Sequence, residues 1–359
     1  MLPRMPGFKI GDRLVGNGCP TYFIADIAAN HDGSLERALA LIRLAKQAGA
    51  DAAKFQHFRA PQIVSDIGFR SLGRQISHQS SWHKSVFQVY EEASLPWEWT
   101  PMLKACCREE GIEFLSTPYD LEAVDMLEPF VEAYKIGSGD ITWPELLERI
   151  ASKGKPVILS TGASDMSEVE SATQILKALN PDLALLQCNT NYTGGTQVFK
   201  HLHLNVLRTY QDRFPGVLTG LSDHTPGHAA ALGAVALGAK IIEKHFTDDI
   251  SRQGPDHHFA MTPGSWHEMV ERTRELEAAL GSPEKRVAEN ENETIVIQRR
   301  CLRAARDIDA GTILCKCEME ALRPAPSGAI APSELHSVIG RRTSVPIKKG
   351  EHFKWNCLE

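Results

Sequence analysis

The chain has 359 residues, 42% of them hydrophobic and 23% charged, which suits one large or two smaller folded domains with a sizeable buried core. A formal charge of −6 gives no global pull toward nucleic acid or anionic lipid, so any anion site has to be a local arrangement of basic groups. The opening "MLPRMPGFKIGDRLVGNG" lacks the apolar stretch of a signal peptide, and no apolar run approaches the ~18–20 residues that span a bilayer, so a soluble cytoplasmic protein is expected.

Ahead of the first long apolar run, "FKIGDRLVG" (8–16) alternates apolar and polar residues around Gly-Asp and predicts a β-hairpin plugging one end of the fold. Eight short runs follow: "YFIADIAANH" (22–31), "AAKFQHF" (52–58), "EFLSTPY" (113–119), "AYKIGSGD" (133–140), "PVILSTG" (156–162), "LALLQCNT" (183–190), "VLTGLSDH" (217–224) and "KIIEKHF" (240–246). Amphipathic stretches such as "SLERALALIRLAKQAG" (34–49) separate them, with Ser34 suited to the N-cap and Gly49 to the position just past the helix. Eight strand–helix units over roughly 260 residues predict an α/β chain closed into a (β/α)8 TIM barrel. The polar residues of each run gather at its C-terminal end, the face that carries the active site in this architecture. Glu243, Lys244 and His245 of "IIEKHF" therefore have a polar mouth to face instead of an apolar core.

The longest connection, 59–112, is rich in His, Ser, Gln and Trp and predicts helix plus an elaborated loop near the mouth, packed by Trp82, Trp97 and Trp99, with a sugar platform as their alternative role. The charged segment 284–298 reads as a solvated linker between a barrel domain, 1–283, and a small β-rich domain, 299–359. That tail holds a weak internal echo, "ARDIDAGTIL" (305–314) and "SVPIKKGEHF" (344–353), which two unrelated turns would also produce. None of the eight cysteines forms a Cys-X-X-Cys pair, and free thiols are the expectation. A lone strand-end histidine is more often structural than a ligand; His224 and His245, ending neighbouring strands, reverse that preference. His257–His258, His201 and His203 have no such convergence and read as loop or surface residues, and Arg299–Arg300 and Arg341–Arg342 do not make a nucleic-acid patch.

The ordered motifs "FIADIAANHDGSLERALALIRLAKQAGADAAKFQ", "FLSTPYD", "YKIGSGDI", "ILSTGAS", "GLSDHT" and "IIEKHFTDD…GPDHHFAM" resemble those of the sialic acid (N-acetylneuraminate) synthase family, which includes the legionaminic and pseudaminic acid synthases. "LRPAPSGAIAPSEL" and "GRRTSVPIKKGE" resemble its antifreeze-like (SAF) domain, so the resemblance covers essentially the whole chain. It implies condensation of phosphoenolpyruvate (PEP) with an amino-sugar acceptor, an open-chain 2-acetamido hexose, giving a nine-carbon 2-keto-3-deoxy sugar acid and phosphate. It implies a divalent metal, Mn2+ before Mg2+ or Co2+, between His224 and His245, and PEP held by Lys54, Thr117, Lys135, Ser138, Ser160, Thr190 and Ser222. Lysines beside phosphate or carboxylate act as point charges and donors, which fits Lys54 and Lys135. Glu243, Asp26, Lys54 and Lys135 match the catalytic positions, and Gln56, Asp140, Tyr192, Asp256 and Arg323 the sugar-contacting ones. The resemblance further implies a homodimer in which each SAF domain caps the partner's barrel. Departures fall on the sugar side: Asp26 stands where the family has Glu, "CNTNYTG" replaces "CTNIYP" or "CTSAYP", and "RPAPSG" replaces "RPGNG". Two other functions compete: a barrel synthase joining PEP to a phosphorylated sugar, and a non-catalytic carbohydrate-binding relative. The tail disfavours the first, and two lysines beside a histidine pair disfavour the second.

Overall fold

The first elements are a hairpin, β1 (Gly7–Ile10) and β2 (Arg13–Gly16), followed by eight parallel strands: β3 (Tyr22–Asp26), β4 (Ala52–His57), β5 (Glu113–Pro118), β6 (Tyr134–Ile136), β7 (Val157–Ser160), β8 (Leu183–Cys188), β9 (Leu218–Asp223) and β10 (Ile241–His245). These are read from a computed structural model that describes residues 7–75, 77–192 and 195–359. The eight strands close in chain order, β10 pairing with β3, as the strand–helix alternation predicts. The chain divides into two units, Met1–Gly281 and Ser282–Glu359.

Two apolar layers hold the barrel. Outward-facing Phe23, Phe55, Phe114, Leu185 and Ile242 pack under the helices. Inward-facing Ile24, Leu115, Ile158, Leu186 and Ile241 fill one end of the lumen, and Phe8, Ile10 and Val15 of the hairpin close it, as the plug expectation requires. Gly220 shows how tight that layer is, because a Cβ there would stand 2.3 Å from Leu186 Cδ2 and 2.5 Å from the Ile241 carbonyl. The helix Leu35–Gln47 starts where Ser34 accepts from the Arg37 N–H and is followed by Gly49 at φ +93, the left-handed position that favours glycine. With the floor of the lumen apolar and sealed, polar side chains can converge only at the other mouth. The 59–112 connection supplies short helices, among them Val86–Ala93 and Thr100–Glu110.

In the second unit the segment 282–298 is not uniformly extended, since Asn292–Gln298 is helical. Strands β11 (Cys301–Ala304) and β12 (Met319–Leu322) pair antiparallel. The two echoing segments pair with each other: Ile308 and Ile347 exchange backbone hydrogen bonds of 2.8 Å, and Gly311 and Gly350 both adopt φ +83. Ile308, Leu314, Ile347 and Phe353 then enter one core from matching positions, so the echo is a paired repeat and not two unrelated turns. Among the described residues no helix is long and apolar enough to cross a membrane.

Candidate active site

A strand turns alternate side chains to opposite faces, and this period of two sorts the polar tips. Beyond the apolar floor, Asp26, Lys54, Thr117, Lys135, Ser160, Cys188, Ser222, Glu243 and His245 face the mouth, while Ser116, Asp223 and Lys244 face the other way. The register sets neighbours side by side: Asp26 stands between Lys54 and His245, and Ser222 between Cys188 and Glu243.

The two inward lysines differ. Lys54 Nζ lies 2.7 Å from Asp26 Oδ2, which also accepts from Gln56 Nε2 at 3.1 Å. Burial pushes the Lys54 ammonium down, but Asp26 and Glu243 outweigh it and hold the group above its ordinary value. Lys135 Nζ donates to Ser160 Oγ at 2.7 Å and to the Ile136 carbonyl at 2.9 Å, with Glu243 Oε1 only at 3.6 Å. Here burial dominates and lowers the lysine, Glu243 opposing and Lys54 assisting. Lys135 is thus a buried cation whose ion pair with Glu243 is long, which leaves it room to receive an anion. Thr117 Oγ1 lies 3.4 Å from Lys54 Nζ, Ser222 Oγ donates to Glu243 Oε1 at 3.1 Å, and Ser138 Oγ accepts from the Gly162 N–H at 2.9 Å. At Gly162 a Cβ would meet Thr190 Cγ2 at 2.5 Å and Ser138 Oγ at 3.0 Å, so glycine lets these segments close on one another.

His224 and His245 have ring centroids 5.4 Å apart, with Tyr192 4.4 Å from the first and Phe259 4.8 Å from the second. His224 Nδ1 donates to the Asn189 carbonyl at 2.9 Å, which leaves its Nε2 with a free lone pair. Burial lowers both imidazoles, and His224 and Lys54 lower His245 further, which favours the uncharged form that a metal needs. The buried Nδ1 of His245 and Oε2 of Glu243 have no hydrogen-bond partner among the described residues. Neutral imidazoles with open lone pairs fit a divalent cation whose remaining positions take oxygen ligands.

A cavity opens beside this cluster, lined by the polar Gln56, Tyr192, His245 and Asp256 and by Phe58, Trp82, Val89, Tyr90 and Tyr119. Burial raises the Asp256 carboxyl to about 7, although its Oδ2 accepts from the Ala29 N–H at 3.1 Å. Asp140 is raised by burial to about 6, and its Oδ2 has no partner among the described residues.

Residues 41–285 match the family model described as the NeuB family, and residues 299–359 match the SAF domain. The chain belongs to the NeuB family. It is 34% identical to the N,N'-diacetyllegionaminic acid synthase of Legionella pneumophila, over 96% of each protein, and 33% identical to the N-acetylneuraminate-9-phosphate synthase of Homo sapiens, over 94% of this chain and 93% of that one. The crystal structure of N-acetylneuraminic acid (sialic acid) synthetase from Leptospira borgpetersenii, in complex with citrate, matches with a TM-score of 0.70 and 30% identity, covering 81% of this chain and 95% of that one. As a NeuB-family synthase the protein is an enzyme, a transferase that forms a carbon–carbon bond.

Within this NeuB chain the structure gathers Asp26, Lys54, Gln56, Thr117, Lys135, Ser138, Asp140, Ser160, Thr190, Tyr192, Ser222, His224, Glu243, His245 and Asp256 around one mouth. Arg323 lies in the second unit, where its Nε donates to the Gln298 carbonyl at 2.6 Å. Thr193 and Gly194 of "CNTNYTG" lie outside the described residues. Three readings need correction. Lys244 does not face the mouth: strand alternation sends it outward, 1% exposed, to Asp223 Oδ2 and the Thr225 carbonyl, each at 2.6 Å. His257 is no surface residue but fully buried, with Asp32 and Thr247 as partners. Cys315 and Cys317 form a disulfide because a single 3-10 turn after extended Cys315 brings their Cα atoms to 5.4 Å. Sequence reasoning also missed Cys188 and Phe259; the inward register of Cys188, two residues past Leu186, was the available signal. Trp82 lines the cavity, whereas Trp97 lies under the Arg59 guanidinium at 4.2 Å and Trp99 edges His31 at 5.9 Å.

Proposed function

We propose that the enzyme condenses PEP with an open-chain 2-acetamido hexose, giving a nine-carbon 2-keto-3-deoxy sugar acid, sialic acid or a sialic-acid-like relative, and phosphate. The observation that carries this reading is the pairing, at one barrel mouth, of two buried lysines with two buried histidines that each keep a ring nitrogen open. PEP is anionic at both carboxylate and phosphate, and Lys54 and Lys135 with the hydroxyls of Thr117, Ser138, Ser160, Thr190 and Ser222 supply cations and donors for both. Lys135, held only by a long ion pair to Glu243, gains a closer counter-charge when PEP binds.

His224 and His245 would hold the divalent cation, Mn2+ in this reading, which would polarise the acceptor's aldehyde oxygen. Gln56, Asp140, Tyr192 and Asp256 orient the sugar so that its aldehyde carbon faces carbon 3 of PEP. The PEP double-bond pair forms the new bond between these carbons as the aldehyde C=O opens to a hydroxyl, whose oxygen takes a proton from water, leaving positive charge on carbon 2. Glu243, whose Oε2 is free, orients the water that adds there and takes its proton. The tetrahedral centre then expels phosphate and becomes the ketone. Orientation and electrostatic stabilisation of that centre are the protein's main contributions. In the dimer we propose, Arg323 of the SAF domain closes the partner's sugar site.

Phosphate release from PEP with Mn2+ tests the reading, run across N-acetylmannosamine, its 6-phosphate and a 2,4-diacetamido-2,4,6-trideoxyhexose. Release with one of them, abolished by EDTA, is expected; PEP that fails to bind at all would overturn it.

A further inference from the structure

Asp256 reaches the cavity on a segment, 247–260, that contains neither helix nor strand. Its neighbour in sequence holds that segment in place. His257 is completely buried; its Nε2 lies 2.8 Å from Asp32 Oδ1 and its Nδ1 lies 2.7 Å from Thr247 Oγ1. A carboxylate only accepts, so Nε2 donates to Asp32, and Nδ1 pairs with the Thr247 hydroxyl. Gly254 packs on the ring, where a Cβ would come within 2.7 Å of His257 Cδ2.

Asp32 belongs to the connection that follows β3 and adopts φ +51, a left-handed conformation that residues other than glycine seldom take. Its partners over-determine that conformation: His257 on one oxygen, and Arg252 Nε at 2.8 Å and Arg37 Nε at 3.1 Å on the other. A parallel tie joins the same two segments at the cavity itself, where the Ala29 N–H donates to Asp256 Oδ2 at 3.1 Å. The strained turn and the buried imidazole therefore end at one place, the carboxyl that lines the cavity.

We propose that His257 is a positioning residue for the acceptor: through Asp32 and Thr247 it locks the 247–260 segment so that Asp256 faces the sugar. This rests on reading the cavity as the acceptor's. The lysine cradle is built on other strands, so PEP binding does not depend on the lock.

The test uses the full-length Mn2+-loaded enzyme, PEP, and whichever sugar of the three-member panel turns over. His257→Ala and Asp32→Ala raise the acceptor KM by ~10–100-fold, the scale of a displaced orienting group, and leave the PEP KM within about threefold. Asp32→Asn keeps an oxygen for the His257 N–H and restores the acceptor KM to near the wild-type value. Hydrogen exchange accelerates in 247–260 and 27–34 but not in 113–118 or 217–224. An unchanged acceptor KM in both alanine variants would overturn the proposal. So would a rise in both KM values with faster exchange throughout the barrel, the mark of a merely structural role. Should no sugar turn over in the wild type, the functional reading is what fails, and the exchange pattern alone then upholds or overturns the lock.

Discussion

Asp256→Asn separates the cost of burying a carboxyl from its use. In the folded enzyme this carboxyl is raised to about 7 from an ordinary 3.8, chiefly by burial. A raised carboxyl contributes its full stability below the unfolded value and loses it as pH climbs through the folded one, so the wild type weakens between about pH 4 and pH 7 on this account. The difference of about three pH units at 1.36 kcal/mol each sets an upper bound of ~4 kcal/mol above pH 7. Asp256 is partly exposed, and solvent reduces that bound to roughly 2 kcal/mol. Asparagine keeps an oxygen for the Ala29 N–H and carries no charge. Thermal melts of variant and wild type should coincide near pH 4 and diverge through neutrality, reaching a gain of roughly 4–8 °C at pH 8. Phosphate-release kinetics on the same preparations should show a higher acceptor KM. A gain that is equal at pH 4 and pH 8, or a variant less stable at pH 8, would refute the reasoning.

Gly162→Ala should raise the PEP KM at least tenfold in steady-state assays, because the added methyl collides with Thr190 and Ser138, at an overpacking cost of about 1–3 kcal/mol. Lys244→Met leaves Asp223 buried without its cation and should cost about 3–5 kcal/mol by denaturant titration, with Mn2+ affinity measured by calorimetry falling as the strand end carrying His224 shifts. Chelation should abolish phosphate release, and added Mn2+ should restore it in the wild type but not in His245→Ala. Mixing Lys54→Met with Arg323→Ala, each inactive alone, should regain phosphate release through mixed dimers; continued silence would count against a SAF domain that caps its partner's barrel.

The barrel was legible because strand and helix periods alternate eight times and because each apolar run ends in polar residues. The mouth was legible for the same reason, but only to the level of the tip. "IIEKHF" looks like three consecutive charges facing one cavity, whereas the strand sends Glu243 and His245 inward and Lys244 outward to Asp223. Period two was present in the sequence and decides this; reading the tips as blocks overlooked it. His257 was opaque for a different reason. Its partners, Asp32 and Thr247, lie 225 and 10 residues away, and only closure of β10 onto β3 brings them together. Cys315 and Cys317 escaped because a separation of two residues is not a common framework spacing, and the turn that permits it is a local backbone feature.

The central claim is that the two lysines and two histidines serve a single condensation. Mass spectrometry of the products formed from PEP and each sugar of the panel, with Mn2+ present, tests it most directly. The expected product equals the acceptor plus one pyruvate unit, formed in step with phosphate and absent in Lys135→Met. Phosphate released equally well without any sugar, yielding pyruvate alone, would contradict it.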